Sequence, residues 1–222
     1  MSCPEDPVAD DDRYFVELAT AFIRGRRRDA PDVDDAALIA WGRAAGLRLH
    51  KFKRNAELPR VRRVIGALLG LSPSSLVDIG SGRGTFLWPL LDALPYLPVT
   101  AVDIDPRRVR DLQAVADGGV ARLSAVQADA CALPLPGDAA DVVTMLEVLE
   151  HIPEPERAAE SAIRVARRFV IATVPSKEDD NPEHIHLFTG DSLTRLLREA
   201  GAASVKVEYV LNHIVALARV YP

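Results

Sequence analysis

The segment LVDIGSGRGTF, residues 76–86, constrains the fold of this chain more than any other part of the sequence. Its apolar start indicates a buried parallel strand that carries an acid, Asp78, close to its end. Glycines then follow at alternate positions: Gly80, Gly82 and Gly84. A second apolar strand ends at Asp103, about twenty residues further on. Because glycines allow a tight turn and close ligand approach, this pattern is typical of a nucleoside site in a doubly wound sheet.

The spacing of the glycines and the acid before them distinguish two classes of nucleoside cofactor. Dinucleotide sites use G-x-G-x-x-G, because the pyrophosphate lies against a helix N-terminus. Here the third glycine comes one residue earlier, after Arg83. A carboxylate at position 78 would repel a pyrophosphate but attract the ammonium group of S-adenosylmethionine, whose sulfonium is also positive. The sequence therefore predicts S-adenosyl-L-methionine, not NAD, as the cofactor.

Four segments in order resemble the motifs of the class I S-adenosylmethionine-dependent methyltransferases, including methyltransferase types 11 and 23. These segments are Asp78–Gly84, Ala101–Asp105, Gln127–Ala130 and Asp141–Pro153. Four motifs in the right order are far more specific than a single glycine pattern. The resemblance covers roughly residues 74–222 and implies an α/β, Rossmann-like sheet that is mostly parallel, with an antiparallel last strand.

Hydrophobic periodicity divides the chain into an N-terminal helical cap, residues 1–72, and a methyltransferase core, residues 73–222. In the cap the pattern predicts a loose, polar first dozen residues and helices over 13–28, 34–46 and 59–69. In the core it predicts strands near 75–80, 99–104, 121–128, 141–148 and 168–174. Helices are expected near 84–94, 106–116, 155–166 and 191–200. Alternation after residue 204 predicts a terminal antiparallel hairpin.

Composition sets the expected compartment and excludes some partners. The net charge of −5 gives no general reason to bind polyanions. The two cysteines, Cys3 and Cys131, do not make a disulfide framework, which favours a reducing compartment. The acidic start is unlike a secretory signal, and no apolar run reaches membrane-spanning length. We therefore expect a cytoplasmic protein without a membrane partner; the sequence sets no oligomeric state.

The resemblance implies a role for each residue of the cofactor site. Residues of the first motif would hold the methionine part and the sugar turn: Asp78, Gly80, Ser81, Gly82 and Gly84. Asp103 would bind the ribose, and three residues would contact adenine: Ile104, Asp129 and Ala130. Leu146 would line the methyl position. Arg60, just before the first motif, would pair with the carboxylate of the cofactor.

Acids and histidines after the fourth strand are the candidates for catalysis. A helical turn after Leu146 would place Glu147, Glu150 and His151 on one face. The loop after the fifth strand, with His184 and His186, lies on the same side of the sheet. In one interpretation a histidine, first of all His151 and then His184 or His186, is the general base for a hydroxyl acceptor.

A second interpretation makes part of this group a metal site. The string Glu-Val-Leu-Glu-His is similar to one in the small-RNA 2′-O-methyltransferases and to one in the ubiquinone-biosynthesis O-methyltransferases. In the RNA enzymes such residues hold a metal at the ribose diol. The corresponding ligands here would be Glu147, Glu150, His151 and His186, with mixed oxygen and nitrogen atoms that suit Mg, Mn or Zn. The interpretation without a metal is the favoured one.

The favoured function is O-methylation of a small-molecule hydroxyl, because no Asn-Pro-Pro-Tyr-like segment follows the fourth strand. Metal-assisted RNA 2′-O-methylation and a catalytically silent binding module are the alternatives. Basic residues concentrate in 24–28 and 48–63, so a nucleic-acid contact is possible. A solvated helix face is the preferred interpretation, because aromatic residues for base stacking are sparse there. His50 and His213 are expected to be structural.

Overall fold

A seven-stranded sheet organises the chain in this computed structural model, which describes residues 13–54, 58–178 and 180–221. Its strands are β1 (Leu76–Ile79), β2 (Val99–Asp103), β3 (Leu123–Gln127), β4 (Ala140–Leu146), β5 (Ala166–Pro175), β6 (Ser204–Val210) and β7 (His213–Arg219). Their order is β3-β2-β1-β4-β5-β7-β6. Strands β1 to β5 are parallel, whereas β7 runs antiparallel to both of its neighbours. The predicted fold class is confirmed.

Helices surround this sheet at the predicted places. They are α1 (Val16–Arg26), α2 (Asp35–Ala44), α3 (Pro59–Leu71), α4 (Leu87–Ala93), α5 (Pro106–Asp117), α6 (Pro155–Val165) and α7 (Gly190–Glu199). Local signals explain several starts: the Asp34 side chain caps α2 at the amide of Ala37, 2.8 Å away. Proline occupies the first turn of α3, α5 and α6. Short 3-10 helices cover His50–Phe52, Ala130–Ala132 and Leu149–His151.

The cap packs on one face of the sheet through a continuous hydrophobic core. Leu18, Phe52 and Val61 from the cap belong to the same buried cluster as Leu76 and Trp88 from the core. An aromatic series joins the two parts: the Phe22 and Phe52 ring centroids lie 5.2 Å apart, and those of Phe52 and Trp88 lie 5.0 Å apart. The cap therefore holds the helix that follows the glycine turn. The predicted loose start and Cys3 lie outside the described residues.

The strand order reverses beside β1, where β2 lies on one side and β4 on the other. In open α/β sheets, ligands bind at such a switch point, outside the carboxyl ends of the strands. The hairpin of β6 and β7 adds to this edge, because His213 at the start of β7 pairs with Pro175 at the end of β5. Among the described helices, none is both long and apolar enough to cross a membrane.

Candidate active site

Two connected cavities open at the carboxyl edge of the parallel strands. The larger, of about 770 Å³, lies beyond the ends of β1, β2 and β3, and we call it the strand-end cavity. The second, of about 500 Å³, lies between the glycine turn and the start of α3, and we call it the glycine-loop cavity. Both are lined by Gly80, Arg108, Glu147 and His151. An elongated ligand can therefore extend from one cavity into the other.

The glycine turn between the cavities depends on residues without a side chain. Gly80 and Gly84 have φ angles of 72° and 84°, in the left-handed region. A Cβ atom at position 80 would lie 2.5 Å from Cγ2 of Val148, and one at position 84 would lie 2.0 Å from the Trp88 ring. Both glycines are thus required by backbone conformation and by close packing. The turn also displaces the start of α4 from the predicted residue 84 to Leu87.

Asp78 supplies a buried carboxylate at the floor of the glycine-loop cavity. Its Oδ1 accepts a 2.7 Å hydrogen bond from the Thr144 hydroxyl. Its Oδ2 is buried and receives no hydrogen bond from any residue that the structure describes. Burial raises the pKa of this carboxyl to about 6, although the Thr144 hydrogen bond opposes that shift. A buried oxygen with unused acceptor capacity beside a cavity fits the ammonium group of a ligand.

Asp103 lies at the end of β2, where it connects the glycine turn to the next helix. Its Oδ2 accepts from the Gly82 amide at 2.8 Å, and its Oδ1 accepts from the Asp105 amide at 2.9 Å. Each carboxylate oxygen has a further lone pair, and the residue lines the strand-end cavity. The carboxylate is therefore held rigidly while it keeps acceptor capacity for two ligand hydroxyl groups.

The strand-end cavity has both an apolar surface and a polar edge. Ile104 is 66% exposed there, a large apolar surface for a residue that follows a buried strand. Asp129 and Ala130 lie across from it in the lining, where Oδ1 of Asp129 accepts from the Cys131 amide at 2.9 Å. The other oxygen of Asp129 has no such backbone bond in the described chain. This combination suits a flat heteroaromatic ring with an exocyclic amino group.

Glu147 does not share a helical face with Glu150 and His151, contrary to expectation. Its φ of 57° lies in the left-handed region, and the 3-10 helix begins only at Leu149. The chain therefore changes direction after β4, and the Glu147 carboxylate turns toward the start of β7. There it lies 3.1 Å from Nε2 of His213, while the hydroxyl of Thr173 donates to it at 2.8 Å. Such a conformation in a non-glycine residue is typical of functional sites.

Two further candidates, Arg60 for the carboxylate of the cofactor and Leu146 for the methyl position, line the glycine-loop cavity. Nε of Arg60 lies 3.5 Å from Oε2 of Glu147, an ion pair between the cap and the core. Leu146 is the last residue of β4 and is half-buried. Ser81 is buried in the turn, and its hydroxyl donates to the Asp78 carbonyl oxygen at 3.0 Å.

His151 lies where the two cavities meet, and its environment selects one tautomer. Nδ1 lies 2.9 Å from the carbonyl oxygen of Glu183. Because a carbonyl oxygen only accepts hydrogen bonds, Nδ1 carries the proton and the lone pair of the neutral ring is on Nε2. The Glu183 loop is itself held in place, since the amides of Ile185 and His186 donate to the Glu150 carbonyl oxygen.

The structure brings together two of the four candidate metal ligands, Glu150 and His151, and adds His184 to them in place of Glu147 and His186. One ligand atom each from Glu150, His151 and His184 lies within 4.8 Å of the others. The His151 and His184 rings meet edge to face, with centroids 4.8 Å apart. His186 instead directs Nε2 to the Ile152 carbonyl oxygen at 3.0 Å. With Glu147 turned away, this cluster offers one buried carboxylate and two imidazoles.

Sequence reasoning missed three contributors to the site. Thr144 holds Asp78, Glu183 selects the tautomer of His151, and His213 contacts Glu147. A signal existed for His213 alone: an antiparallel last strand must begin at the edge where the parallel strands end. The carbonyl of Glu183 has no sequence signal, because any residue could supply it.

Comparison with known proteins decides the family. Residues 49–207 match a family described as a methyltransferase domain. The chain belongs to this S-adenosylmethionine-dependent methyltransferase family. The match includes α3, the glycine turn, the residues that line both cavities and the first half of β6, whereas His213 lies beyond it.

Curated relatives align with less than half of this methyltransferase chain. A ubiquinone biosynthesis O-methyltransferase of Cupriavidus pinatubonensis is 33% identical over 107 residues, which are 46% of this chain and 41% of that protein. An uncharacterized methyltransferase of Mycobacterium leprae is 34% identical over 94 residues, 41% of this chain and 33% of that protein. The chain thus matches well under half the length of these relatives.

Solved structures show the same fold at low sequence identity. An O-methyltransferase family protein from Burkholderia thailandensis superposes with a TM-score of 0.60 and 17% identity, covering 72% of this chain and 55% of its own. The [4+2]-cyclase SpnF superposes with a TM-score of 0.59 and 18% identity, covering 72% of this chain and 80% of its own. At such identities the comparison establishes the methyltransferase fold alone.

Proposed function

We propose that this methyltransferase transfers a methyl group from S-adenosylmethionine to a hydroxyl oxygen of a small-molecule acceptor, with His151 as the general base. The observation that carries the proposal is the Nε2 lone pair of His151, directed by the Glu183 carbonyl, at the junction of the two cavities. The names of two curated relatives, both ubiquinone biosynthesis O-methyltransferases, support oxygen as the acceptor atom.

The residues of the two cavities fit the cofactor part by part. Oδ2 of Asp78 would accept from its ammonium group, and Arg60 would pair with its carboxylate. Asp103 would accept from the ribose hydroxyls in the strand-end cavity. In the strand-end cavity, three residues would enclose the adenine: Ile104, Asp129 and Ala130. When bound, S-adenosylmethionine supplies a methyl group that its positive sulfonium already activates.

The chain must therefore align the acceptor and remove its proton. Nε2 of His151 would accept the hydroxyl proton, and the resulting imidazolium would keep its Nδ1 bond to the Glu183 carbonyl. The buried carboxylate of Glu150 belongs to the same cluster and would stabilise that positive charge. Leu146 would shape the space beside the methyl group.

The test is methyl transfer from radiolabelled S-adenosylmethionine to matched panels of phenols, aliphatic alcohols and amines. The proposal expects a product only with hydroxyl compounds, and a large loss of kcat in His151→Asn with retained binding of S-adenosylhomocysteine. Transfer to amines in preference to hydroxyls, or an active His151→Asn enzyme, contradicts it.

A second candidate function is metal-assisted 2′-O-methylation of RNA. The observation that favours it is the cluster of Glu150, His151 and His184, whose ligand atoms suit a divalent cation. The discriminating assay is methylation of a short RNA with and without EDTA. Activity that EDTA abolishes and Mn²⁺ or Zn²⁺ restores selects this candidate, whereas absence of RNA methylation removes it.

A further inference from the structure

A third cavity, of about 350 Å³, adjoins the glycine turn and lies next to the glycine-loop cavity. We call it the basic pocket, because most of the polar side chains in its wall are cationic. Its lining includes Arg48, Lys51, Arg83, Arg107 and Arg108, with the acids Asp105 and Asp111. At a net charge of −5 for the chain, this local excess of positive charge stands out.

The two acids are shared among more cations than they can neutralise. Asp111 contacts both Lys51 and Arg26, the latter at 3.9 Å. Asp105 contacts Arg107 at 2.9 Å and Arg108 at 3.8 Å, and Arg108 also lies 3.9 Å from Asp103 at the end of β2.

Two further arginines, Arg48 and Arg83, lie in the wall of the pocket. Arg48 and Arg83 are exposed, and neither forms an ion pair within residues 13–54, 58–178 and 180–221. Burial lowers the pKa of Lys51, and the positive charges of Arg26 and Arg48 lower it further. The wall of the pocket therefore carries positive charge that a bound anion would compensate.

Outside the pocket, several cations of the basic segment pair with acids of the protein. Arg24 lies 3.9 Å from Asp35, and Arg27 lies 2.7 Å from Asp29. Arg54 donates to Asp92 at 2.9 Å. Arg48 and Arg83, by contrast, line a concave cavity of about 350 Å³, which favours a small multiply charged anion over a nucleic-acid backbone.

The position of the basic pocket connects it to the site of methyl transfer. Gly82, Arg83 and Arg108 line both this pocket and the glycine-loop cavity. Arg60, which pairs with Glu147, lines the glycine-loop cavity but not the basic pocket. The proposed partner of the cofactor carboxylate is therefore a different arginine from those of the basic pocket. Guanidinium groups bind phosphate oxygens in pairs, and two uncompensated arginines match a phosphate dianion.

We propose that the basic pocket binds a phosphate group, and that this group belongs to the methyl acceptor. The assignment to the acceptor rests on the proposed function, whereas anion binding does not. The acceptor would then be a phosphorylated hydroxyl compound, with its phosphate at Arg48 and Arg83 and its hydroxyl near His151.

The first experiment measures binding of inorganic pyrophosphate to the full chain by calorimetry at constant ionic strength. The variant Arg48→Ala/Arg83→Ala removes the uncompensated charges, and Arg110→Ala is the matched control, an exposed arginine of α5 outside the pocket lining. We expect saturable binding to the wild-type chain, weakened roughly tenfold or more in the double variant and unchanged in the control. No saturable binding to the wild-type chain, or an equal loss in the control, overturns the proposal.

Further measurements distinguish a small anion from RNA as the ligand. They also distinguish failure of the anion site from failure of the proposed function. An RNA oligonucleotide without terminal phosphates that binds more tightly than pyrophosphate, and displaces it, overturns the small-anion assignment. Binding of S-adenosylhomocysteine is measured in the same samples. If pyrophosphate binds and S-adenosylhomocysteine does not, the proposed function is removed and the anion site is kept.

In the methyl-transfer assay, a phosphorylated alcohol should have a lower KM than its unphosphorylated analogue, and the double variant should erase that difference. Equal KM values in the wild-type chain overturn the assignment of the phosphate to the acceptor.

Discussion

The hydroxyl of Thr144 donates a 2.7 Å hydrogen bond to Oδ1 of Asp78, at the floor of the glycine-loop cavity. Both residues are buried, and Oδ2 of the same carboxylate has no donor in the described part of the chain. Burial raises the pKa of Asp78 to about 6. The arrangement keeps one oxygen ready for a cationic ligand at an energetic cost to the ligand-free protein.

The affinity for S-adenosylhomocysteine should rise with pH through about 6, because only the ionised Asp78 attracts the ammonium group. Calorimetry at pH 5, 6 and 7 measures this dependence. At pH 6, two buffers with different ionisation enthalpies should reveal proton release on binding. Asp78→Asn should bind more weakly and lose the pH dependence; a flat wild-type profile would contradict the assignment.

The same residue should lower the stability of the ligand-free protein at neutral pH. A carboxyl whose folded pKa is raised from 3.8 to about 6 binds protons more tightly when folded. Its contribution therefore becomes unfavourable as pH rises from about 4 to about 6, and stays so above that range. We expect Asp78→Asn to be more stable at pH 7.5, by about 1–3 kcal/mol. Denaturant unfolding at pH 7.5 and pH 4 measures this, and the gain should shrink at pH 4.

His151→Asn should lower kcat about a hundredfold or more, since general-base catalysis contributes on that order. Its affinity for S-adenosylhomocysteine should stay nearly constant, because in the proposed mechanism Nε2 of His151 contacts the acceptor and not the cofactor. His186→Asn is the comparison, since Nε2 of His186 bonds to the Ile152 carbonyl and should act on loop stability. Steady-state kinetics of both variants measure the two effects. Equal losses of kcat would contradict a catalytic role for His151 that His186 does not share.

Asp103→Asn should weaken S-adenosylhomocysteine binding by roughly one to a few kcal/mol, because ribose hydroxyls lose a charged acceptor. Asp105→Asn is a matched control in the same turn. Its carboxylate caps α5 and pairs with Arg107, whose hydrogen bond lowers the pKa of Asp105 to about 2. The control should affect helix stability more than affinity. Calorimetry of the two variants tests whether the ribose binds at Asp103. Unchanged affinity in Asp103→Asn would exclude that placement.

Arg60→Ala should reduce the affinity for S-adenosylhomocysteine roughly tenfold, through loss of a charge-assisted pair with the ligand carboxylate. Arg63→Ala removes a neighbouring ion pair of α3, with Glu208 on β6, outside the cavity lining. That control should leave affinity within about twofold. Equal effects of the two variants would show that Arg60 acts through docking of the cap rather than through the ligand.

The central strands of this methyltransferase were predictable because buried strands consist of runs of apolar residues, which the sequence shows directly. Apolar runs that end in Asp78, Asp103 or a glycine turn locate β1, β2 and their neighbours within two residues. The helix after the turn was placed too early, because periodicity does not reveal that Gly84 adopts a left-handed conformation and that Trp88 packs against it. Local conformation of this kind depends on contacts between residues that only the fold brings together.

The positions of the proposed cofactor-binding residues in the fold were easier to predict than those of the candidate catalytic residues, for a physical reason. The proposed cofactor-binding residues lie mainly at strand ends and on one turn, where the geometry of the sheet determines the direction of each side chain. The candidate catalytic residues lie on irregular segments, where the left-handed φ of Glu147 reverses an expected helical face. Likewise His184, rather than His186, meets His151, because the amides around position 185 bond to the Glu150 carbonyl. Spacing rules derived from regular backbone do not apply there.

The aromatic series from Phe22 through Phe52 to Trp88 places the cofactor loop on a support made largely by the N-terminal helices. The Nε1 of Trp88 also donates to the Arg83 carbonyl at 2.8 Å, inside the loop itself. A substitution of Phe22 in α1, which lines neither the strand-end cavity nor the glycine-loop cavity, should therefore change the affinity for S-adenosylhomocysteine. Substitutions in the N-terminal helices could thus change the affinity for the methyl donor while every residue that lines the two cavities stays the same.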